Sequence, residues 1–185
     1  MDVSVDLPAK RDLASPASFC EFVEMDLLGA LKPMLLQELP GLRRAQDGSL
    51  WIRLDLRYAE LVLAFEHDAE AGSIRIHTRL PIPPGAGIDF LLWCLSLNVQ
   101  YWDVKLGIDA EGLLVVHADV DADESDILGE LSETLLDRCE TLFELLDEDF
   151  VNWLLEAKLG TPQQRERWKA RPGSTLKPAT RTPSE

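Results

Sequence analysis

Basic residues, histidines and cysteines are all scarce in this chain of 185 residues, and each shortage excludes something. Its 18 Lys and Arg stand against 33 Asp and Glu, giving a formal charge of −15 and a pI near 4.5. A body so acidic repels phosphates, so neither nucleic acid nor an anionic membrane surface is expected as a partner. The three cysteines, Cys20, Cys94 and Cys139, are odd in number, far apart and set in apolar helical contexts. Free buried thiols in a reducing cytoplasm are the expectation. No CxxC or Cys/His spacing of the zinc-binding kind occurs. Apolar runs are short as well. The stretch from Phe90 to Leu97 stops far below the roughly 18–20 residues that a membrane span needs. The opening Met1-Asp-Val-Ser-Val-Asp has no basic segment leading into an apolar run, so no signal peptide is expected.

Catalytic signatures are missing too. GxSxG, P-loop, GxGxxG and HExxH patterns are absent. Gly85-Ala86-Gly87 precedes a helix but follows prolines and lacks the lysine of a phosphate loop. Two acidic places remain for an enzyme or metal reading. One is Glu66-His67-Asp68-Ala69-Glu70, in a hairpin loop where side chains diverge. The other is Asp119–Asp126, with acids at places one, three and five of a calcium-type loop and Glu130 at place twelve. Its sixth place is Glu124 where a sharp turn needs glycine, so strand exit and helix cap is the simpler role. His77 and His117 stand on separate strands and read as structural. No cofactor and no metal are expected, and the chain reads as a non-enzyme.

What the chain has in quantity is apolar periodicity. From Asp123 to Leu155, Leu128, Leu131, Leu135, Cys139, Leu142, Leu146, Phe150 and Leu154 recur at three- and four-residue steps, which marks one stripe of a helix. Acids fill the other side, including Glu133, Asp137, Glu140, Glu144 and Asp147. Like charges at i,i+4 disfavour such a helix alone, so its stripe must be buried. Asp123, Ser125 or Asp126 is suited to cap its start.

Upstream, Ser15-Pro16 can open a first helix whose apolar spacing from Phe19 runs to about Leu39, with Pro33 implying a kink or break. Alternation then predicts strands at Leu42–Ala45, Leu50–Arg57, Leu61–Glu66 and Ser73–Leu80. Pro81–Gly87 leads off the sheet into a helix from Ile88 to Asn98, apolar on nearly all sides. Such a helix is covered on most faces, or on one face in the monomer and again in an oligomer. A hairpin, Val104–Ile108 and Leu113–Val120 about a Gly112 turn, precedes the acidic helix. The layout is residues 1–15 as a weakly ordered lead-in, 16–159 as one α+β domain, and 160–185 as a flexible, basic, proline-rich tail. The domain is an antiparallel sheet with helices packed on one side. Trp51 and Arg53, on the wet side of a strand, and Tyr101 and Trp102, after the second helix, are the expected partner contacts.

The run Leu91-Leu92-Trp93-Cys94-Leu95-Ser96-Leu97-Asn98, then Lys105-Leu106-Gly107-Ile108-Asp109, then Glu111-Gly112-Leu113-Leu114-Val115-Val116, followed by a long acidic helix, resembles the YbjN-like proteins. These are described as sensory transduction regulators and share the fold of type III secretion chaperones. The resemblance covers residues 20–155 in element order. It implies an α-β-β-β-α-β-β-α domain, often dimeric, with no catalytic residues to carry over. The expected function is that of a regulator or adaptor, a homodimer binding a protein or peptide. A secretion-type chaperone holding an extended client segment is the alternative. An enzyme with a site around His67 or Asp119–Asp126 is the alternative of another class.

Overall fold

The computed structural model describes residues 26–122 and 128–170. The caps expected at Ser15 and at Asp123–Asp126, the calcium-type loop beyond Ala122, Cys20 and the last fifteen residues lie outside these.

Alternation of apolar and polar residues builds the sheet. In β2 (Leu50–Asp55), β3 (Glu60–Asp68), β4 (Ser73–Pro81) and β6 (Leu113–Asp121), every second side chain is buried. With β1 (Arg43–Arg44) and β5 (Lys105–Ile108) they form one antiparallel sheet of order β1-β2-β3-β4-β6-β5. Helices α1 (Leu27–Glu38) and α3 (Leu128–Phe143) pack together and against the buried face, on β3, β4 and β6. Among the described residues, the opposite face carries the half-buried and exposed side chains of the strands. There Trp51, Ala64, His77, His117 and Lys105 lie in one cross-strand row. The expected α+β architecture is met, with the short β1 as a fourth strand before α2 (Ile88–Gln100).

Three elements depart from the sequence expectation. Helix α1 begins at Leu27, where the Asp26 side chain accepts from Gly29 N at 3.0 Å; the part of the expected first helix before Asp26 lies outside the described residues. A carboxylate that accepts from one of the first free amides caps a helix start there. Pro33 lies inside α1 without breaking it. It forfeits one backbone bond, but Leu31 and Leu35 on either side are fully buried and hold the turn.

The acidic helix is the second departure. Its regular part ends at Phe143, and a π-helical segment, Glu144–Asp149, leads into α4 (Phe150–Glu156). The reason is arithmetic. Leu131, Leu135, Cys139, Leu142, Leu146, Phe150 and Leu154 are all buried. An ideal α-helix over that length swings such a stripe about 140° off the core. A wider turn takes up the excess and keeps both ends inward. Asp147, expected on the wet face, is thereby buried.

The third departure is the tail. Pro162–Ala170 form helix α5, and Trp168 is buried. An aromatic on a polar helix, not basic composition, decides where this part of the tail lies. Residues 171–185 are not among those described.

Candidate docking surface

Helix α2 is apolar on two faces because it has two surroundings. Phe90, Cys94 and Leu97 point into the core, with Trp93 half-buried among Phe90, Phe150 and Trp153. Burial pushes the Cys94 thiol up to about 11, so it stays protonated at neutral pH. The outer face carries Ile88 (66% exposed), Leu91 (40%), Leu92 (56%), Leu95 (61%) and Val99 (84%). These recur at helical spacing along one stripe. Trp102 (77%) prolongs it beyond the C-terminus. Asp89 is the only charged residue in the helix. Singly exposed apolar residues need no explanation, but a continuous stripe of six does.

The stripe is held rigidly. The helix runs past the expected end at Asn98, on to Gln100. The Asn98 side chain instead clamps β5: Nδ2 donates to Leu106 O at 2.9 Å, and Leu106 N donates to Oδ1 at 2.6 Å. A residue in an antiparallel strand turns both backbone groups to one side. Asn98 thus takes up the outward pair of Leu106, at the centre of an edge strand. Val104 N, just before β5, bonds Tyr101 O. This edge is closed to an added strand over most of its length, so contact here falls to the apolar stripe.

Of the four expected contact residues, only Trp102 is exposed beside this stripe; Tyr101 follows Phe90, Cys94 and Leu97 on the inward face and packs against the core. Tyr101 is half-buried, and its hydroxyl donates to Asp149 Oδ2 at 2.7 Å. That bond holds the phenol up to about 12 and ties the end of α2 to the π-helical segment. Trp102 lies under the Arg138 guanidinium, 5.8 Å from the ring centroid, and Arg138 pairs with Asp103. Trp51 and Arg53 stand at the other side of the sheet, in β2. Trp51 is half-buried under Arg43, at 5.5 Å, and the exposed Arg53 pairs with Glu60 at 3.1 Å. The residues that sequence reasoning did not single out are Ile88, Leu91, Leu92, Leu95 and Val99. Their signal was a helix apolar all round.

His67 borders an open, polar cleft of about 580 Å³ with Asp26, Arg44, Asp47 and Glu66. Its charged groups are engaged. Arg44 pairs with Asp26 at 2.6 Å, and the Ser49 hydroxyl and amide both bond Asp47 Oδ1. Asp26 is held below the usual carboxylate range by the Gly29 amide and then by Arg44. Asp47 is lowered by its Ser49 bonds. Neither is poised as a general acid near neutrality. Asp119 and Asp121 lie on β6, with Asp119 bonded to Arg75 at 2.7 Å. Among the described residues, no group of three or more His, Cys, Asp or Glu is placed to hold a metal ion. No described helix is long and apolar enough to cross a membrane.

No protein-family model and no curated protein matches the chain. Among solved structures it is similar to a chain of the HopA1-SchA chaperone-effector complex. Identity there is 16% with a TM-score of 0.46, over 60% of this chain and 87% of the other. It is also similar to a chain of the heterodimeric ExoU-SpcU complex from the type III secretion system of Pseudomonas aeruginosa. Identity there is 26% with a TM-score of 0.38, over 57% and 85% respectively.

Proposed function

We propose that this chain is a cytoplasmic, non-catalytic protein-binding regulator or adaptor of the YbjN-like kind, and that it works as a homodimer joined through α2. The stripe Ile88, Leu91, Leu92, Leu95, Val99 and Trp102 carries this reading. A second copy fits it because the surface is nearly uncharged. Two molecules at −15 repel, and only an apolar face lets them approach without setting acid against acid. The two-fold pairing of one helix with itself satisfies the self-complementarity of such an interface. Cys94 and Cys139, both buried free thiols, fit a reducing compartment.

A secretion-type chaperone holding an extended client is the second reading, and the solvent face of the sheet favours it. Val62 is 46% exposed there, opposite Arg53 on β2. An extended segment with alternating apolar and acidic residues suits that row. Trp51 and Arg53 belong to this face as proposed client contacts, and Trp102 to the dimer.

Light scattering coupled to size-exclusion chromatography tests the dimer. The unaltered protein is expected at twice the 20.7 kDa chain mass. Leu95→Glu with Val99→Glu is expected at the single mass and still folded, since neither side chain packs in the core of its own chain, with a melting temperature lowered by no more than the lost dimer linkage. A monomeric unaltered protein at about 100 μM, far above the Kd of a stable dimer, rejects the α2 interface.

A further inference from the structure

Among the described residues, helix α5 is held to the body by one buried side chain. Trp168 is buried, Arg165 is half-buried, and every other residue of Pro162–Ala170 is exposed. Among the described residues, the hydrogen bonds and ion pair of this segment's side chains all stay within it and the turn before it. Thr161 and Gln164 cap each other reciprocally, at 2.8 and 3.2 Å. Arg165 donates to the carbonyls of Lys158 and Gly160, and Lys169 pairs with Glu166 at 3.2 Å. The turn is sharp: Lys158 and Gly160 both have positive φ, at 55° and 77°. A Cβ on Gly160 would stand 2.7 Å from Trp168 Cη2, so the turn and the seat of the indole are built for each other.

The indole meets the outermost ring of an aromatic series. Trp168 lies 5.8 Å from Tyr58, which meets Phe150 edge-on at 4.9 Å, and Phe150 contacts Phe90 and Trp93. Tyr58 is fixed independently of α5, because its hydroxyl donates to Pro81 O at 3.0 Å. The site also adjoins the apolar stripe. Leu159, beside the turn, comes within 3.5 Å of the Cβ position of Gly85, three residues before Ile88.

We propose that α5 is a releasable strap. Its Trp168 fills an aromatic slot at Tyr58 in cis, and a partner segment carrying an aromatic side chain among basic residues takes that slot when the strap leaves. A nine-residue helix has little stability of its own, so one seated indole decides whether it stays. The partner's chemistry is read from the occupant already there, an indole flanked by Arg165, Arg167 and Lys169. Only the existence of a protein partner rests on the function proposed above. The strap itself stands on the contacts just given, and its test does not involve the dimer.

Hydrogen exchange on the unaltered full chain reads the release directly. The bonded amides from Arg165 to Lys169 are expected to exchange at least about a hundredfold faster than those of Leu154 and Leu155, with little denaturant dependence, as in local opening. Equal protection in α5 and α4 overturns the strap. The slot is read with a synthetic peptide of the sequence Leu159–Ala170, titrated into full-length Trp168→Ala and followed by NMR at Tyr58 and Phe150. Binding at least about tenfold tighter than to the unaltered chain is expected, because the cis strap competes at an effective concentration of about millimolar. A peptide carrying alanine in place of the tryptophan should give no shifts. Equal responses of the two proteins, or none from a folded variant, overturn the slot. Should Trp168→Ala fail to fold, the exchange result on the unaltered chain decides.

Discussion

Asp147 sits in a segment of acids that reads as solvated, yet it is the most buried charged residue described. Its Oδ1 accepts from Arg57 N at 2.5 Å, its Oδ2 lies 3.5 Å from Arg57 Nε, and its carbonyl accepts from the same guanidinium. One arginine, two residues beyond β2, thus engages both the side chain and the backbone of the π-helical segment. Removing one partner of a buried pair strands the other charge. Asp147→Ala is therefore expected to cost about 3–5 kcal/mol in denaturant unfolding, with part of that regained in Asp147→Ala combined with Arg57→Met. His117 is a second test at this scale. Burial lowers its pKa, outweighing Asp119, with Arg75, His77 and Lys105 lowering it further. The folded chain therefore resists protonating it. Its stabilisation is complete above the unfolded value of about 6.5 and is lost as pH falls from there through the lowered folded value. Melting temperature should decline on acidification below pH 7. His117→Gln should show a flatter profile between pH 7 and 5; an identical slope would remove His117 as the cause.

Asn98 and the π-helical segment show how elements are fitted to one another. A side-chain amide standing in for a neighbouring strand lets β5 end the sheet without leaving the backbone groups of Leu106 open. Asn98→Ala leaves that N–H and C=O without their partner. A loss of about 1–3 kcal/mol is expected, together with concentration-dependent association through the uncovered edge, visible by light scattering at high concentration. Association that Leu95→Glu also abolishes would point to the α2 stripe instead. The hairpins and an α2 apolar on nearly all sides were legible in the sequence, because period-two alternation, helical spacing and glycine turns act locally. The π-helical segment was legible in principle, in the successive four-residue steps from Leu142 to Leu154. The Asp26 cap of α1 and the seat of α5 were not. A cap competes with periodicity over a few ångströms, and Trp168 finds its place only against Tyr58.

Net charge acts on the molecule as a whole. At −15, two copies meet against a long-range repulsion that salt shortens to a Debye length of about 10 Å at 0.1 M. If α2 joins them, dimer affinity should rise between 0.05 and 0.5 M NaCl, measured by sedimentation equilibrium. An affinity that falls with salt would mean charged contacts dominate and would sink the apolar interface. Truncation tests the tail on the same scale. Removing residues 160–185 takes away the buried indole, with an expected loss of about 1.5–3 kcal/mol. A flexible tail throughout predicts no loss.

Composition and periodicity alone determined an acidic α+β domain with an antiparallel sheet, the sequence of its main elements and the faces its strands bury. Each of these follows from neighbours within a few residues. The tertiary structure decided which apolar residues remain uncovered. Phe90 and Leu92 are equally apolar and two positions apart, yet one is core and the other is surface. What separates them is the packing of Phe90 against Phe150 and Trp153, side chains some sixty positions downstream, and no local pattern carries that information. The same holds for Asp147 and Trp168. A charge and an indole found distant partners in Arg57 and Tyr58, because burial is set by what the folded chain brings alongside.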